Sequence, residues 1–547
     1  MPSLRRTRHK LQKQAVRWTI WGGVFVIFLV GTFTGFSWWT GRSELSSQLP
    51  RVVARVNGEE ISRATYEQFL AQAAQFMHPT VADWATVKEI AFGQLLETVV
   101  LKQEAQRRGL RVTQRDIDKH VNAMVAAELD SARQRYQREK SFRDYIRKEF
   151  GSLDNYAAAL RRQAQQQVNE LQDALLQEKL RESVEQSVKV TEKDLRMAYT
   201  QFRIRHILVS FARFFPKGKT PTLQDQQTAR RKARERAQQL RQRLLKGEDF
   251  QALARKESDD TPTASKGGDL GVMTLDMVRG RLGEAIAQAL PRLKVGEISE
   301  PLEGWMGYHL LQVESKRVVL PPDYDKVRYR CENTKCAYQW LGEKGETQCP
   351  KCKGKAIKVV GTRRSELLRQ LRMQRQQEAW DRLRTDLRQR AQVDIQDPEL
   401  RGLWAARNGD AEEARRALGE ALKIALRSPD ARRHFLYPEV ILLELARLEQ
   451  GQGKLAEAER HLQEALKYSD DNSLHLQLGT VFMLRNKKDA ALKEFMKVAN
   501  SSPTPVQRQV LANYLEQLGR KDLAEQQRRL AQKEQAASGM TLPLNLQ

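Results

Sequence analysis

Four cysteines lie close together and are the only cysteines in the chain: Cys331, Cys336, Cys349 and Cys352. Four thiolates complete the tetrahedral coordination of a Zn²⁺ ion without any other ligand. The alternative is one or two disulfides, the common use of paired cysteines outside the cytoplasm. The spacing Cys349-Pro-Lys-Cys352 favours the metal, because a Cys-x₂-Cys turn closes poorly as a disulfide. With all four thiolates bound, no coordination position stays open, so the predicted Zn²⁺ is structural.

The residues around these cysteines predict a small β-rich unit at 326–361. Tyr338 and Trp340 follow the first cysteine pair, and the β-prone run AIKVV follows the second. Two turns that each carry a cysteine pair can converge on one ion. The segment resembles a zinc ribbon or a rubredoxin-like knuckle.

Length and composition predict several domains. The chain has 547 residues, with 94 Lys and Arg against 68 Asp and Glu, and a net charge of +26. At about 150 residues per domain, this length corresponds to three or four domains. Hydrophobic residues make up 40% and charged residues 30% of the chain, which is too apolar for a disordered protein and too charged for a membrane protein with many spans. Basic residues alternate with Glu and Gln along predicted helices, which favours solvated helical faces over a nucleic-acid surface.

The N-terminus predicts a membrane anchor. Residues 1–17 hold six basic residues and no acidic residue, and residues 18–40 hold no charge. As a helix, the uncharged stretch measures about 34 Å, enough to cross a hydrocarbon core of about 30 Å. The basic flank indicates a cytoplasmic tail, a single membrane span at 18–40 and export of the rest of the chain. The alternative is a cleaved signal peptide, but the apolar stretch is long for one and no Ala-x-Ala site follows it.

Helical patterns dominate residues 51–200. The run RVVARV predicts a strand, Asn57-Gly58 a turn and Ser62 the N-cap of the first helix. The segments VNGEEISRATYEQFL, QLLETVVLKQEAQRRGLRVTQRDI and VKVTEKDLRMAY resemble the N-terminal chaperone domain of SurA/PpiD-type periplasmic foldases. The long polar helix within 363–400 resembles the C-terminal helix that returns to this domain in that family. The resemblance implies an all-α chaperone body into which the intervening domains are inserted.

An alternating pattern begins at FRIRHILVSF and predicts a strand. A long helix, the Gly-rich run ASKGGDLGVM, a further helix and a second strand follow it. This order of helices and strands indicates a small α+β domain. The motifs RHILV, GEDFQALARKESDD, GGDLG, VGEISEP and GYHLLQV resemble a parvulin-type peptidyl-prolyl isomerase domain over 202–316.

The parvulin resemblance implies a catalytic site at His206, Asp260 and His309. Isomerising an X–Pro bond needs no covalent intermediate, only a lower barrier than the usual rotation barrier of about 18–20 kcal/mol. An apolar pocket and a few oriented polar groups are sufficient, and no catalytic cofactor is expected. The alternative is that the two histidines form a hydrogen-bonded structural pair in the core of the domain.

The same resemblance implies that Leu282, Ile286 and Met306 form a pocket for the proline ring. The family usually has Met, Phe and Phe at these positions, so this chain departs from it. Ile286 offers less surface to the ring than a phenylalanine does. The expected isomerase activity is therefore weak.

From residue 402 onward the chain repeats at about 34 residues. LARLEQGQGKLAEAERHLQEAL is echoed by LQLGTVFMLRNKKDAALKEFMKVA, and partial echoes precede and follow them. Glycine falls at the turn between paired helices in three units, and Asn486 takes its place in the fourth. The pattern resembles an α-solenoid of tetratricopeptide-like repeats over 402–535, followed by a tail at 536–547. Because each repeat contacts mainly its neighbours, the array is expected to be a separable docking unit.

The predicted fold class is multidomain: a single N-terminal transmembrane helix, an all-α chaperone body, an α+β parvulin domain, a small zinc ribbon and an α-solenoid of repeats. The predicted function is that of an exported, membrane-anchored isomerase and chaperone that binds unfolded or newly translocated polypeptides. The repeats are expected to bind the export translocon or an envelope partner, and nucleic acid is not expected to bind. The alternative is a non-enzymatic holdase or assembly scaffold whose parvulin domain only binds peptides. A nucleic-acid binder acting through the ribbon and basic helices is a weaker rival.

Overall fold

The computed structural model describes residues 49–166, 168–216 and 223–538. These residues form two compact units. The first unit contains the described residues up to Gln177 and those from Arg384 onward, and the second contains Glu178–Leu383.

Several predicted terminal segments lie outside the described residues. They are the basic tail at 1–17, the span at 18–40 and residues 539–547 of the predicted C-terminal tail. The last helix ends at Ser538, inside the predicted tail. Within the described ranges, no helix is both long and apolar enough to cross a membrane.

The first unit begins with a β-hairpin and a series of helices. In chain order the elements are β1 (Val52–Val56), β2 (Glu59–Ser62), α1 (Arg63–Met77), α2 (Trp84–Arg107), α3 (Gln114–Arg138), α4 (Lys140–Glu149), α5 (Leu153–Gln166) and α6 (Val168–Ser187). The hairpin turn has positive φ at Asn57 (50°) and Gly58 (88°), as a two-residue type I′ turn requires. The Ser62 hydroxyl accepts a hydrogen bond of 3.1 Å from the Thr65 backbone N–H and caps α1. The predictions of this turn and this cap are confirmed.

The second unit, which begins inside α6, holds a four-stranded sheet with helices on both faces. Its elements are α7 (Glu192–Ala198), β3 (Thr200–Ser210), α8 (Leu223–Leu245), α9 (Phe250–Glu257), α10 (Thr261–Ala264), β4 (Asp269–Met273), α11 (Leu275–Leu282), α12 (Glu284–Ala289), β5 (Leu302–Glu303) and β6 (Gly307–Val318). The strand order is β4–β3–β6–β5, and each pairing is antiparallel. Ile207 and Val209 of β3 pack with α8, whereas Phe202 and Ile204 pack with α11 and α12. The region is an α+β domain, as predicted.

A smaller sheet follows in the same unit. It is built from β7 (Val327–Cys331), β8 (Gln339–Gly342) and β9 (Ile357–Thr362), in the order β8–β7–β9. Tyr329, Trp340 and two of the cysteines form its buried core. α13 (Arg363–Arg390) begins directly after β9.

The chain re-enters the first unit through α13 and adds a strand to the first sheet. β10 (Val393–Ile395) pairs antiparallel with β1, and Ala54 lies opposite Ile395. Nε of Arg384 on α13 donates a hydrogen bond of 2.7 Å to Oε1 of Glu97 on α2. The helical body is therefore built from two separate parts of the chain, and the second unit is inserted between them.

Consecutive helix pairs complete the first unit. They are α14 (Pro398–Arg407) with α15 (Ala411–Arg427), α16 (Pro438–Gly451) with α17 (Leu455–Ala465), α18 (Asn472–Leu484) with α19 (Lys488–Asn500), and α20 (Pro505–Gln517) with α21 (Lys521–Ser538). The turn inside each pair has one residue with positive φ, namely Gly409, Gly453, Asn486 or Gly519. Asn486, with φ of 58°, adopts the backbone conformation of the three glycines, because asparagine tolerates the left-handed region.

The helix pairs share a hydrophobic core with the N-terminal helices. Val81, just before α2, is buried in the same cluster as Leu443 of α16. The rings of Trp84 and Tyr437 have centroids 4.7 Å apart. Removing the pairs would expose these buried surfaces to water, at a cost of about 25 cal/mol per Å² of apolar area. The expectation of a separable array is therefore wrong, because the array and the N-terminal helices bury each other.

Candidate active site

Two histidines from neighbouring strands meet in the core of the four-stranded sheet. In the register of β3 with β6, Leu208 lies opposite His309 and His206 lies opposite Leu311. The two histidines are therefore diagonal neighbours on one face of the sheet. Their Nδ1 atoms are 3.0 Å apart, and their rings stack with centroids 5.3 Å apart. Both side chains are buried, with His206 only 2% and His309 only 4% exposed.

Asp260 joins the pair from the start of α10. Its Oδ2 lies 2.8 Å from Nε2 of His206. Thr263 completes the contact, because its hydroxyl donates a hydrogen bond of 2.7 Å to the same Oδ2 and lies 2.8 Å from His206 Nε2. The structure thus brings together the three residues predicted as catalytic, and it adds Thr263, which the sequence reasoning missed. The signal available was a threonine three residues after Asp260, a spacing typical of side-chain contacts at helix starts.

The hydrogen bonds assign the protons of this network. The hydrogen bond from His206 holds the pKa of Asp260 down to about 2 against the opposing effect of burial, with help from Thr263. An ionised carboxylate only accepts, so the proton shared between Asp260 and His206 lies on His206 Nε2. Of the two facing Nδ1 atoms, one donates and the other accepts. Burial lowers the pKa of His309 to about 3, and the nearby His206 lowers it further, so His309 is neutral at pH 7.

A glycine makes room for the other side of the His309 ring. A Cβ at Gly304 would lie 2.7 Å from His309 Nε2 and 2.5 Å from the Leu282 carbonyl oxygen. Both distances are shorter than the usual separation between a Cβ atom and a non-bonded heavy atom. The turn between β5 and β6 can therefore lie against the imidazole only because residue 304 has no side chain.

The three residues predicted to hold the proline ring lie in different environments. Leu282 and Ile286 belong to the buried cluster beneath the sheet, and Ile286 is 0% exposed. Met306 lies in the turn before β6 and is 66% exposed. Ile286 therefore cannot touch a ligand in this conformation, whereas Met306 can.

Trp305, next to Met306, is a second exposed apolar side chain at the site, and the sequence reasoning did not single it out. Trp305 is 69% exposed, and its backbone N–H donates a hydrogen bond of 3.1 Å to the Leu282 carbonyl. This bond ties the turn to the end of α11. A tryptophan beside a methionine in a Gly-bounded turn was the available signal.

The arrangement fits the rotation of an amide bond. The neutral His309 and the chain of hydrogen bonds through His206 to Asp260 fix polar groups inside an apolar domain. Groups held in this way need no reorganisation when charge shifts in a twisted amide. Apolar side chains in the adjoining turn can contact a proline ring.

The four cysteine sulfurs converge in the smaller sheet. Each lies within 4.8 Å of the other three. Cys331 and Cys352 are 3.5 Å apart and Cys336 and Cys349 are 3.8 Å apart, so both contacts join one turn to the other. Tetrahedral Zn²⁺ with Zn–S bonds of about 2.3 Å places its sulfurs about 3.8 Å apart. The four cysteines are free thiols whose positions fit this geometry.

Comparisons with known proteins match two segments of the chain. Residues 206–315 match the family model of the PPIC-type PPIase domain, and residues 8–169 match that of the SurA-like N-terminal domain. Foldase protein PrsA from Caldanaerobacter subterraneus subsp. tengcongensis is 28% identical over 328 residues, which cover 56% of this chain and 86% of PrsA. Chaperone SurA from Chromohalobacter salexigens is 37% identical over 118 residues, which cover 22% of this chain and 23% of SurA. A crystal structure of peptidylprolyl isomerase PrsA from Bacillus anthracis is 23% identical with a TM-score of 0.18, and the match covers 42% of this chain and 81% of that one.

The isomerase match and the site geometry concern the same residues. His206 begins the matched segment, His309 lies near its end, and Asp260 lies between them. The hydrogen-bonded network is therefore wholly inside the matched domain. The chain therefore carries a PPIC-type peptidyl-prolyl cis–trans isomerase domain and a SurA-like N-terminal domain.

Proposed function

We propose that the chain is a membrane-anchored foldase that acts on exported polypeptides. Its helical body binds unfolded or newly translocated clients, and its isomerase domain acts on their X–Pro bonds. The observation that carries the proposal is the Asp260–His206–His309 network, in a domain inserted into a helical body whose N-terminal part is SurA-like. This arrangement places the client-binding body and the isomerase in one chain.

Two assays on the full chain in detergent test the proposal. The first measures cis–trans exchange of a proline peptide, and the second measures suppression of aggregation of an unfolded protein. Asp260→Ala should slow exchange at least tenfold, because it removes the hydrogen-bond partner of His206, while aggregation stays suppressed. Asp276→Ala, at an exposed acidic residue on α11, serves as the matched control and should leave both readouts unchanged.

The burial of Ile286 favours a second candidate function, a non-enzymatic holdase. Ile286 is fully buried, so contact with a proline ring would have to come from exposed side chains such as Trp305 and Met306. In that case wild type and Asp260→Ala would bind proline peptides equally and neither would accelerate exchange. The two assays therefore separate the two candidates.

We place the chain in the inner membrane with its N-terminus in the cytoplasm and the rest in the periplasm. The basic residues before the uncharged stretch at 18–40 support this topology. Protease added to right-side-out vesicles should then leave only a short N-terminal fragment. Protection of the helix pairs from 402 onward would contradict it.

We further propose that the cysteine cluster holds one structural Zn²⁺. The cluster consists of Cys331, Cys336, Cys349 and Cys352, and the spacing of their sulfurs supports the assignment. When bound, the ion would cross-link the two turns and stabilise the small sheet, since binding energy at such a site is folding energy. The cysteine cluster and the sheet would together form a zinc ribbon.

The helix pairs support the assignment of the C-terminal region as tetratricopeptide-like repeats. The successive pairs begin at Pro438, Asn472 and Pro505, close to the period of about 34 residues of such repeats. We propose that their exposed face binds the export translocon or another envelope partner. Because the pairs are fused to the helical body, a partner bound there would also be fixed relative to the N-terminal helices.

A further inference from the structure

The two edges of the zinc-ribbon sheet differ in how they are protected. At the β8 edge, the Glu346 carboxylate accepts a hydrogen bond of 2.5 Å from the Trp340 indole N–H and one of 3.0 Å from the Glu343 backbone N–H. This side chain folds over the strand. At the β9 edge, no further strand pairs with the sheet within the described part of the chain. The Glu346 side chain thus packs against β8 at Gly342, whereas the β9 edge, called the open edge below, has no neighbouring strand among the described residues.

A row of apolar side chains crosses the sheet and ends at the open edge. Tyr329 of β7 lies opposite Trp340 on one side and opposite Val359 of β9 on the other. Residues directly opposite each other point to the same face. Tyr329 and Trp340 stack with ring centroids 5.5 Å apart and are buried, whereas Val359 is 55% exposed. The row Trp340–Tyr329–Val359 is therefore buried at its β8 end and exposed at its β9 end.

Three lysines lie in or just before β9. Lys353, Lys355 and Lys358 are exposed, and within the described residues none of the three forms an ion pair with a carboxylate. Val360, the extra residue where the β7–β9 register shifts, is also exposed. The edge therefore has no further strand, an exposed valine and a positive rim. Lysines and a bulge hinder indiscriminate pairing at a sheet edge, so only a segment whose charge complements the lysines is expected to pair here.

We propose that β9 binds an extended segment of a client polypeptide as an added strand. The segment would place a β-branched or aromatic side chain beside Val359 and so continue the Trp340–Tyr329–Val359 row. Acidic residues flanking that side chain would face the lysines. This inference rests on the proposed function, because it takes an unfolded client as the ligand. It assigns the ribbon a role in binding rather than in linking the isomerase to α13.

The probe is a fluorescein-labelled peptide of alternating valine and threonine with glutamates at both ends and no proline, so the isomerase site is not engaged. Fluorescence anisotropy measures its binding to the full chain in detergent. A second peptide has the same sequence with methylated backbone nitrogens, which cannot donate hydrogen bonds to a strand. We expect the first peptide to bind and the second to bind at least tenfold more weakly.

Three variants locate the contact. Val359→Lys should weaken binding of the first peptide at least tenfold, and Val359→Ile should preserve it. Val272→Lys is the matched control, because Val272 is a half-exposed valine on β4, an edge strand of the isomerase sheet, and it should bind like wild type. Zinc content and hydrogen exchange of β7 confirm that each ribbon variant is folded.

Several results would overturn the inference. Equal binding of the methylated peptide, or of the Val359→Lys variant, would exclude strand addition at β9. If Val359→Lys changed only self-association, β9 would pair with a second copy of the chain instead. If a single-stranded oligonucleotide displaced the peptide at low salt, the lysine-rimmed surface would belong to nucleic acid. If wild type bound no peptide yet still suppressed aggregation, the edge assignment would fail and the foldase proposal would stand.

Discussion

The ammonium of Lys88 donates a hydrogen bond of 2.5 Å to Oε1 of Glu399, and both side chains are buried. Lys88 lies on α2 in the N-terminal part of the body, and Glu399 lies on α14, the first helix of the C-terminal pairs. This ion pair thus crosses the contact between two segments that are far apart in sequence. Its removal should report directly on how tightly the segments are joined.

Lys88→Met should destabilise this contact by about 3–5 kcal/mol, because it leaves the Glu399 carboxylate buried without its partner. The double variant Lys88→Met with Glu399→Leu should recover most of that loss. Lys102→Met, on the same helix but in a partly exposed pair with Glu59, should cost less than about 1 kcal/mol. Hydrogen exchange of α2 and α14 measures the stability loss of all three variants. Equal losses for Lys88→Met and Lys102→Met would argue against a critical role for the buried pair.

A chain that ends before α14 should lose stability well beyond the deleted region. The deletion exposes the surfaces of Val81 and Trp84 that pack on the helix pairs. We expect the truncated protein to aggregate, or its α2 to lose hydrogen-exchange protection. A soluble truncated chain with unchanged protection of α2 would show instead that the pairs are an independent array.

Thr263→Val should lower kcat/KM of proline-peptide isomerisation about fivefold to tenfold. The substitution keeps the shape of the side chain and removes the hydroxyl that joins Asp260 to His206, and one lost hydrogen bond of this kind costs about 1–1.5 kcal/mol. Thr263→Ser keeps the hydroxyl and should retain most of the activity. If both variants behaved like wild type, Thr263 would have only a packing role.

The His309 imidazole should stay neutral in the native protein well below pH 6. Its native pKa is lowered to about 3 by burial, whereas in the unfolded chain a histidine has a pKa of about 6.5. Between these values the unfolded chain binds the extra proton, so this residue makes stability fall as the pH falls from about 6.5 towards 3.

NMR titration of the histidine ring carbons checks this directly, with His309→Asn used to assign the signal. The same variant should show a smaller loss of stability between pH 6.5 and pH 4 than wild type does. A native His309 signal that titrates near pH 6 would mean that the site is open to water.

The purified chain should contain one Zn²⁺, and Cys349→Ser should release it. Residues 328–360 should then lose hydrogen-exchange protection, while β3 and β6 of the isomerase sheet keep theirs. Alkylation after denaturation without reductant should label four thiols per chain. Absence of zinc together with two or fewer labelled thiols would show that the cysteines form disulfides.

Local sequence signals predicted local structure well. The Asn57-Gly58 turn and the Ser62 cap depend on residues within a few positions of each other, so the backbone preferences of those residues were sufficient. The repeat pattern likewise placed Asn486 at the position of the turn glycines, and asparagine accepts the positive φ found there. The order of motifs placed His206, Asp260 and His309 in one domain before any distance was known.

Contacts between distant segments could not be predicted in the same way. Nothing near Lys88 in the sequence indicates that Glu399 is its partner, and the burial of Ile286 depends on how α12 packs under the sheet. The expectation of a separable array failed for this reason. A repeat pattern predicts contacts between neighbouring repeats. It does not predict that the repeats also pack against the N-terminal helices.

The insertion of the second unit has a consequence for synthesis. Ala54 of β1 cannot pair with Ile395 of β10 until about 340 more residues have been made, which takes about 20–70 s at common rates of translation. During that interval β1 has one unpaired edge, and the apolar side chains that the C-terminal segments later cover are exposed. The emerging N-terminal half of the chain therefore exposes apolar surface that would favour aggregation until its own C-terminal part arrives.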